Sequence, residues 1–449
     1  MSRPATAIRR TLKRVLDPSG SGGLRDRAAL AFWSGYGRAC GARLRPFRSP
    51  ADAPARAVEP GGECVAVSAD YFLTHLRTCL LPFWARHSID RSFGGYLLHL
   101  DRRGRLYAEE RKLAGMQARM IYAFALGHRV DPEGGWLALA KPGIEFLLER
   151  FWDREHGGWF LSVERDGQVA STEKHLFHQA YVLAALAEFH DLTGDASLLP
   201  YIARTLELIE RHAWDPRHGG FVESCRRDWT LLERRKTACV QLDMLFALLA
   251  IGRVCGRGRL CPRLSDVADI VSTRMRDPVH GSLLEVFRNG WTYSPAATRD
   301  RLQTGHNLKA AWLLLAAHEV TGDPVHADAA RRLVGFCLRH AWCRTGGGFV
   351  HDLFRNGRLA GVRHLWWTEC EGLLALLAVH RHTGDESFLS LFRQLAAFID
   401  TRFVDREHGE WFTSCDSSGA ILDDRKGGTY RAAYHPVQAC YEAWRALAV

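Results

Sequence analysis

Residues 151–161 read FWDREHGGWFL, and variants of this stretch recur along the chain as PFWARHSIDRSFGGYLL, HAWDPRHGGFVES, RMRDPVHGSLLEV, HAWCRTGGGFVHD and RFVDREHGEWFTS. The first glycine, or the glycine in its place, falls at 94, 157, 219, 281, 347 and 409, a period of 62 to 66 residues. Self-similarity at a fixed period is the mark of a repeat architecture. Each glycine is followed by a short alternating apolar run and then by a turn: DRRG, ERDG, RRDW, FRNG, FRNG, DSSG. Asn-Gly and Asp-Gly between short strands suit tight turns that need positive φ, so each unit carries a small β-hairpin.

Between hairpins the apolar spacing is helical, clearest in YVLAALAEFHDL and LLALLAVHRH. It predicts two helices per repeat, at about 68–86, 112–128, 133–151, 174–193, 196–212, 235–253, 262–275, 303–320, 324–340, 364–382, 385–403 and 430–447. Thr-Gly-Asp at 193–195, 321–323 and 383–385 supplies a helix stop followed by an N-cap. An open solenoid needs polar end caps. Here the terminal units are as apolar as the middle ones, so the expected fold is all-α: a closed (α/α)6 barrel, or toroid. The helices after the hairpins form its inner ring, and the hairpins gather at one end.

The chain has 449 residues, 47% hydrophobic and 24% charged, as in ordinary globular proteins. No apolar run approaches a membrane span, and the N-terminus lacks the apolar core of a secretory signal. Twelve scattered cysteines without a C-x-x-C pair point to reduced thiols, and with them to a cytoplasmic location, rather than a disulfide frame or zinc site. Of the net charge of +10, residues 1–60 carry +8 (12 Lys+Arg, 4 Asp+Glu). Residues 1–63 therefore read as a basic N-terminal arm and 64–449 as the barrel. Ile8, Leu12, Val15 and Leu16 lie at helical spacing among Arg9, Arg10, Lys13 and Arg14, a stretch suited to an acidic partner or an anionic membrane surface. No nucleic-acid partner is expected, and a homodimer is left open.

Features present in every repeat read as structure; those that break it are candidates for function. His156, His218, His280 and His408 recur before the hairpin glycines and read as turn residues. Counting 24 to 26 residues from each glycine places Arg119, Tyr181, Asp243, His306, Glu371 and His435 in otherwise apolar inner helices. Unpaired charges in a core would cost several kcal/mol each. The pattern therefore suggests either a polar floor in a central cavity or a layer of internal salt bridges. Two histidines on different helices suit proton transfer, and an arginine can stabilise an oxyanion. That chemistry fits epimerisation or aldose–ketose isomerisation next to a carbonyl. Asp243 and Glu371 keep open a glycoside hydrolase or lyase, which uses two carboxylates. A non-catalytic sugar-binding barrel is the third reading. Trp366, Trp367, Tyr434 and Trp312 could stack on sugar or serve the core. No nucleotide-binding glycine motif is present, so no such cofactor is indicated. Lys112, Lys174, Lys236, Arg301, Arg363 and Lys426 recur 16 to 20 residues after the glycines. They read either as a basic rim drawing an anionic sugar or as partners of acidic hairpin neighbours.

Over roughly 66–449 the chain resembles the N-acylglucosamine 2-epimerase superfamily of sugar epimerases and isomerases. The resemblance rests on FWARHSIDRSFGGYLLHLDRRGRLY, KLAGMQARMIYAFAL, Gly305-His306 in TGHNLKAAWLLL, WWTECEGLLAL and YHPVQACYEAW. It implies an (α/α)6 barrel with His306 and His435 as an acid/base pair, Arg119 on the reacting oxygens, Glu371 beside them and Trp367 on the sugar. It implies C2 proton transfer through an enediolate after ring opening, with no metal or redox cofactor. Two positions depart from the family pattern: Lys309 stands where a glutamate is usual, and Asp243 where histidine or asparagine is common. Either they form an ion pair beside His306, lowering the proton affinity of that ring, or Lys309 turns outward and Asp243 caps backbone. Trp366, Tyr181 and Tyr434 complete the expected substrate contacts.

Overall fold

The computed structural model describes residues 67–108, 111–255, 261–344 and 346–448. The expected N-terminal arm, with its amphipathic stretch and its boundary at 63, lies outside these residues. Twelve principal helices alternate between two rings. The outer set is α1 (Ala69–His75 and Leu81–His87, joined by the π-turn Leu76–Leu80), α3 (Trp136–Phe146, then the π-turn Leu147–Phe151), α5 (Leu199–His212), α7 (Cys261–Asp269, then the π-turn Ile270–Arg274), α9 (Pro324–His340) and α11 (Glu386–Arg402). The inner set is α2 (Ala114–Val130), α4 (Leu176–Thr193), α6 (Ala238–Cys255), α8 (Thr304–Thr321), α10 (Trp366–Thr383) and α12 (Tyr434–Leu447).

Local chemistry sets the helix ends. Gly194, Gly322 and Gly384 close α4, α8 and α10 in the left-handed conformation. Asp195, Asp323 and Asp385 then accept the backbone N–H two residues on and open the next helical segment. The outer helices bury one stripe and expose the other. The inner helices are apolar on nearly every face and buried along most of their length, as an inner ring requires. Each inner helix packs on the next, and α12 packs back on α2, so the ring is closed. Its axis is plugged by aromatics: Phe246 lies within 6.2 Å, ring to ring, of Tyr122, Tyr181, Trp312 and Tyr434.

The hairpins form a belt at the N-terminal ends of the inner helices. The strand entering each inner helix pairs antiparallel with the hairpin of the following unit: 112–113 with 162–163, 174–175 with 224–225, 236–237 with 286–287, 301–303 with 352–354, and 363–365 with 414–416. The belt closes where Lys426 and Gly427 donate to Leu100 O at 3.1 and 3.2 Å. Gly427 is required there, because a Cβ would stand 1.9 Å from Leu98 O.

Buried ion pairs lock the belt. Lys112, Lys174, Lys236 and Lys426 reach Asp90, Asp153, Asp215 and Asp405 at 2.7 to 3.0 Å, with the lysines almost wholly buried. Arg165, Arg227 and Arg102 add a second cation, from the neighbouring hairpin, to Asp90, Asp153 and Asp405. Asp153, Asp215 and Asp405 also accept the backbone N–H of His156, His218 and His408, the turn residues of the repeat. These four lysines are therefore structural and not available as a cationic rim. Arg363 pairs with Asp352, and Arg301 lies over Phe354.

Candidate active site

Each inner helix from α2 to α10 starts from a strand, and its first N–H is satisfied by the facing hairpin. Ala114, Leu176, Ala238, Thr304 and Trp366 donate to the carbonyls of Leu161, Glu223, Glu285, His351 and Thr413 at 2.8 to 3.1 Å. One turn into each helix a polar side chain clamps a hairpin backbone. Gln117, Gln179, Gln241, Asn307 and Glu369 accept from the N–H of Tyr96, Trp159, Phe221, Leu283 and Phe349. In α12's unit, Arg431 donates to Trp411 O instead. Two residues past the clamp stand Arg119, Tyr181, Asp243, Lys309 and Glu371. The polar layer expected from the sequence is present, but in α8 its member is Lys309; His306 precedes the clamp and sits higher, at the hairpins.

Above this layer lies a cavity of about 410 Å³, at the small end of the ~300–1,000 Å³ typical of small-molecule sites. Arg119, His178, Asp243, His306, Lys309, Trp366, Trp367 and His435 line it, with Glu223, Cys239, Gln303 and Tyr430 among the others. Trp367 packs against both predicted histidines, its ring 5.3 Å from His306 and 5.8 Å from His435. Gly305 permits this, since a Cβ there would stand 2.3 Å from the indole.

Each histidine is tethered through Nδ1 to a carboxylate. His306 meets Glu285 Oε2 at 2.7 Å, and the other oxygen of Glu285 accepts Gln303 N–H at 2.8 Å. His435 meets Glu371 Oε1 at 3.0 Å, and Glu371 Oε2 accepts Trp312 Nε1–H at 2.6 Å. Nε2 of each ring is thus the atom left for a ligand. Their proton affinities diverge. Burial pushes His306 down, but the adjacent Glu285 charge and hydrogen bond outweigh it, and the ring lies above its ordinary value. Burial, aided by Arg119 and Lys309, pushes His435 down to about 4 despite Glu371. The expectation that Lys309 would lower His306 is therefore corrected. The ammonium does act in that direction, but its partner Asp243 acts in the other, and Glu285 decides the sign.

Lys309 and Asp243 form the ion pair anticipated as one of two readings, and both are buried. Lys309 also donates to Tyr181 Oη at 3.1 Å, and Cys239 Sγ reaches Asp243 Oδ2 at 3.3 Å. Burial penalises both charges, yet Lys309 holds Asp243 below the usual carboxylate range and Asp243 holds Lys309 above the usual amine range. Arg119 has no such partner. Its guanidinium lies 4.0 Å over Tyr181 and 4.9 Å over Phe177, donates to Tyr430 O at 3.2 Å, and forms no salt bridge with a described residue. Arg119 Nε and Trp366 Nε1 are buried without a partner among the described residues. His178 accepts Gly115 N–H through Nδ1 at 3.0 Å, and burial pushes it down to about 3. It is therefore neutral with the proton on Nε2, a fixed donor.

Tyr181, Tyr434 and Glu371 stand behind the cavity surface. Tyr434 belongs to the aromatic plug, and Trp312 secures Glu371. His178, Glu223, Cys239, Gln303, Tyr430 and Glu285 were not singled out from the sequence. A more open groove of about 720 Å³ lies between α1 and the last hairpin, with Asp400 and Asp405 in its wall. Those carboxylates are held by Tyr71, Arg406, Lys426 and Arg102.

The sequence pattern defining N-acylglucosamine 2-epimerase (GlcNAc 2-epimerase) matches residues 94–439. The chain belongs to the N-acylglucosamine 2-epimerase family. It is 26% identical over 381 residues to cellobiose 2-epimerase of Bacteroides fragilis, covering 82% of this chain and 96% of that protein. It is 28% identical over 348 residues to D-mannose isomerase of Pseudomonas cannabina pv. alisalensis, covering 74% and 82%. The solved structure of cellobiose 2-epimerase from Spirochaeta thermophila superposes with a TM-score of 0.76 at 26% identity, covering 85% of this chain and 96% of that one. Membership in the N-acylglucosamine 2-epimerase family places the chain among carbohydrate isomerases. No helix of the described residues is long and apolar enough to cross a membrane.

Proposed function

We propose that the protein is a sugar 2-epimerase or aldose–ketose isomerase that moves the C2 proton of an open-chain aldose between His435 and His306. The observation that carries this is the pair of carboxylate-tethered imidazoles on one small cavity, with proton affinities driven apart. Titratable groups separated in this way are what an acid/base pair needs. His435, neutral at pH 7, takes the C2 proton through Nε2. The C–H electrons form the C1–C2 double bond, and the carbonyl oxygen gains charge. Arg119, fixed and always cationic, stabilises that oxygen as the enediolate forms. His306, protonated, returns a proton to C2 from the other side, which gives the epimer. Proton delivery at C1, with the O2 hydroxyl proton passing to O1 and O2 becoming the carbonyl, gives the ketose. Glu285 and Glu371 hold the rings, Trp367 supplies an apolar face for the sugar, and His178 donates a hydrogen bond.

The hydrolytic alternative finds no comparable support. Asp243 is held by Lys309 and Cys239, and Glu371 by His435 and Trp312. Neither is free as acid or nucleophile. The test is incubation with a panel of reducing sugars in D2O, followed by NMR. Deuterium at C2 of the aldose or its epimer, or at C1 of a ketose product, is expected. A new reducing end released from a glycoside, or binding without exchange, would overturn the proposal.

A further inference from the structure

Away from the cavity, the Thr-Gly-Asp corner is built three times with the same hydrogen bonds. Thr193, Thr321 and Thr383 each donate their hydroxyl proton to the helix carbonyl four residues back, at 2.7 to 2.9 Å. Each hydroxyl oxygen also accepts the N–H of the following aspartate at 3.2 Å. Three residues past that aspartate the corner buries an apolar side chain, Leu198 in one copy and Phe388 in another. The middle copy has His326 there, fully buried. A repeat that replaces a core hydrophobe with an imidazole in one copy only calls for a reason, because burying a polar ring without partners is unfavourable.

The partners define the ring's state. His326 Nδ1 lies 3.2 Å from Thr321 Oγ1. That hydroxyl has one proton, and it is committed to Ala317 O, as in the other two copies. With that proton on Ala317 O, Nδ1–H donates to the hydroxyl oxygen, and the neutral ring keeps its lone pair on Nε2. That lone pair faces Asp269 Oδ1 at 2.8 Å. A lone pair set against a carboxylate is stable only with a proton or a metal cation between them. A metal-ligating histidine commonly has one ring N–H held by an oxygen and the other nitrogen free for the metal.

A third ligand is at hand. Asp323, the N-cap of α9, uses Oδ1 on Val325 N–H at 2.9 Å and retains its other oxygen. One ligand atom from each of Asp269, Asp323 and His326 lies within 4.8 Å of the others. Zinc bonds to nitrogen and oxygen of ~2.0–2.2 Å separate ligand atoms at a tetrahedral angle by about 3.4 Å. A small rotation of the Asp269 carboxylate, 53% exposed, opens the 2.8 Å contact to that distance. We propose that Asp269, Asp323 and His326 bind one divalent transition-metal ion of the zinc class, with solvent as the fourth ligand, and so staple the end of α7 to the start of α9. The nitrogen and two oxygens suit zinc or cobalt rather than a thiolate-seeking metal. Solvent exposure of Asp269 provides the entry path.

The test uses the full chain without an affinity tag, stripped with a chelator. Zn2+ is measured by equilibrium dialysis and Co2+ by its visible absorption. One ion per chain, a Co2+ absorption band and a Zn2+-dependent rise in Tm are expected. His326→Leu installs a side chain the repeat already uses at this corner, so it should fold. It should abolish the band and the Tm rise while leaving C2 proton exchange unchanged. Asp323→Ser keeps an N-cap but removes a ligand, and Asp269→Asn removes another. Each should weaken binding by more than the ~10- to 100-fold typical of changing an outer-sphere partner. No saturable binding in the native chain would mean that a proton alone bridges His326 and Asp269, and would overturn the proposal. Undiminished binding in both Asp323→Ser and Asp269→Asn would overturn it as well.

Discussion

The two walls of the cavity use the same device with opposite results. On one wall the hairpin residue Glu285 holds His306 at 2.7 Å; on the other the helix residue Glu371 holds His435 at 3.0 Å. A carboxylate on Nδ1 favours the charged ring in both cases, yet His306 lies above its ordinary value and His435 falls to about 4. The surrounding charges make the difference. His306 feels Lys309 and Asp243 together, and the two act in opposite directions there. His435 feels Arg119 and Lys309, both cationic, in full burial. At His306 the first partner decides the sign, whereas at His435 burial and the two nearby cations override it.

Removing either ring should break the comparison outright. His306→Asn and His435→Asn should each lower C2 proton exchange by ~10²- to 10⁴-fold, the usual contribution of a general acid or base, with circular dichroism unchanged. Near-native exchange in either variant would remove that ring from the chemistry.

Next in size is the ion pair between the walls. Lys309→Met strands the buried Asp243 carboxylate, and losing one member of such a pair destabilises by ~3–5 kcal/mol. Urea denaturation should show that loss, and Asp243→Leu combined with Lys309→Met should recover most of it. Additive losses in the double variant would show that the two positions are uncoupled.

The smallest effect sharpens the comparison most. Glu285→Gln removes the charge that raises His306 and leaves Lys309 acting on it. The group raised in the native protein keeps its proton through the ordinary histidine range and loses it as pH climbs past its raised value; the depressed group, His435, is neutral above about 4. The singly protonated pair therefore exists between those limits, and kcat/KM should be bell-shaped. Both directions share that bell, because they use two tautomers of one protonation state. In Glu285→Gln the alkaline limb should move to lower pH. On that limb kcat/KM at a fixed pH should fall about tenfold for every pH unit the limb moves, while the acid limb near 4 stays in place. An unmoved alkaline limb would detach it from His306.

Much of this was legible in the sequence. The recurrent glycines and the Thr-Gly-Asp corners carry the closed barrel, since each fixes a backbone conformation that few residues share. His306, His435, Arg119, Trp366, Trp367, Asp243 and Lys309 meet at one cavity as their positions suggested. Two things were hidden. The single helical turn Pro295–Thr298 is inserted before α8, so the clamp Asn307 falls 26 residues after Gly281, whereas Gln179 and Gln241 fall 22 after Gly157 and Gly219. Counting from the glycines therefore put His306 in the layer that Lys309 occupies. Glu285 was hidden differently. The fourth residue after each glycine is Leu98, Leu161, Glu223, Glu285, His351 or Thr413, which reads as ordinary strand variation. Only the pairing of each hairpin with the preceding unit's inner helix brings that position over the cavity.

The most direct measurement is a titration of the two rings by NMR, with histidine labelled at the ring nitrogens and His306→Asn and His435→Asn used for assignment. One ring should titrate above the ordinary histidine value of ~6.5 and belong to His306. The other should remain neutral down to about 4 and belong to His435. Two rings titrating together near the ordinary value of ~6.5, or the reverse assignment, would contradict the claim that the cavity holds one resting acid and one resting base.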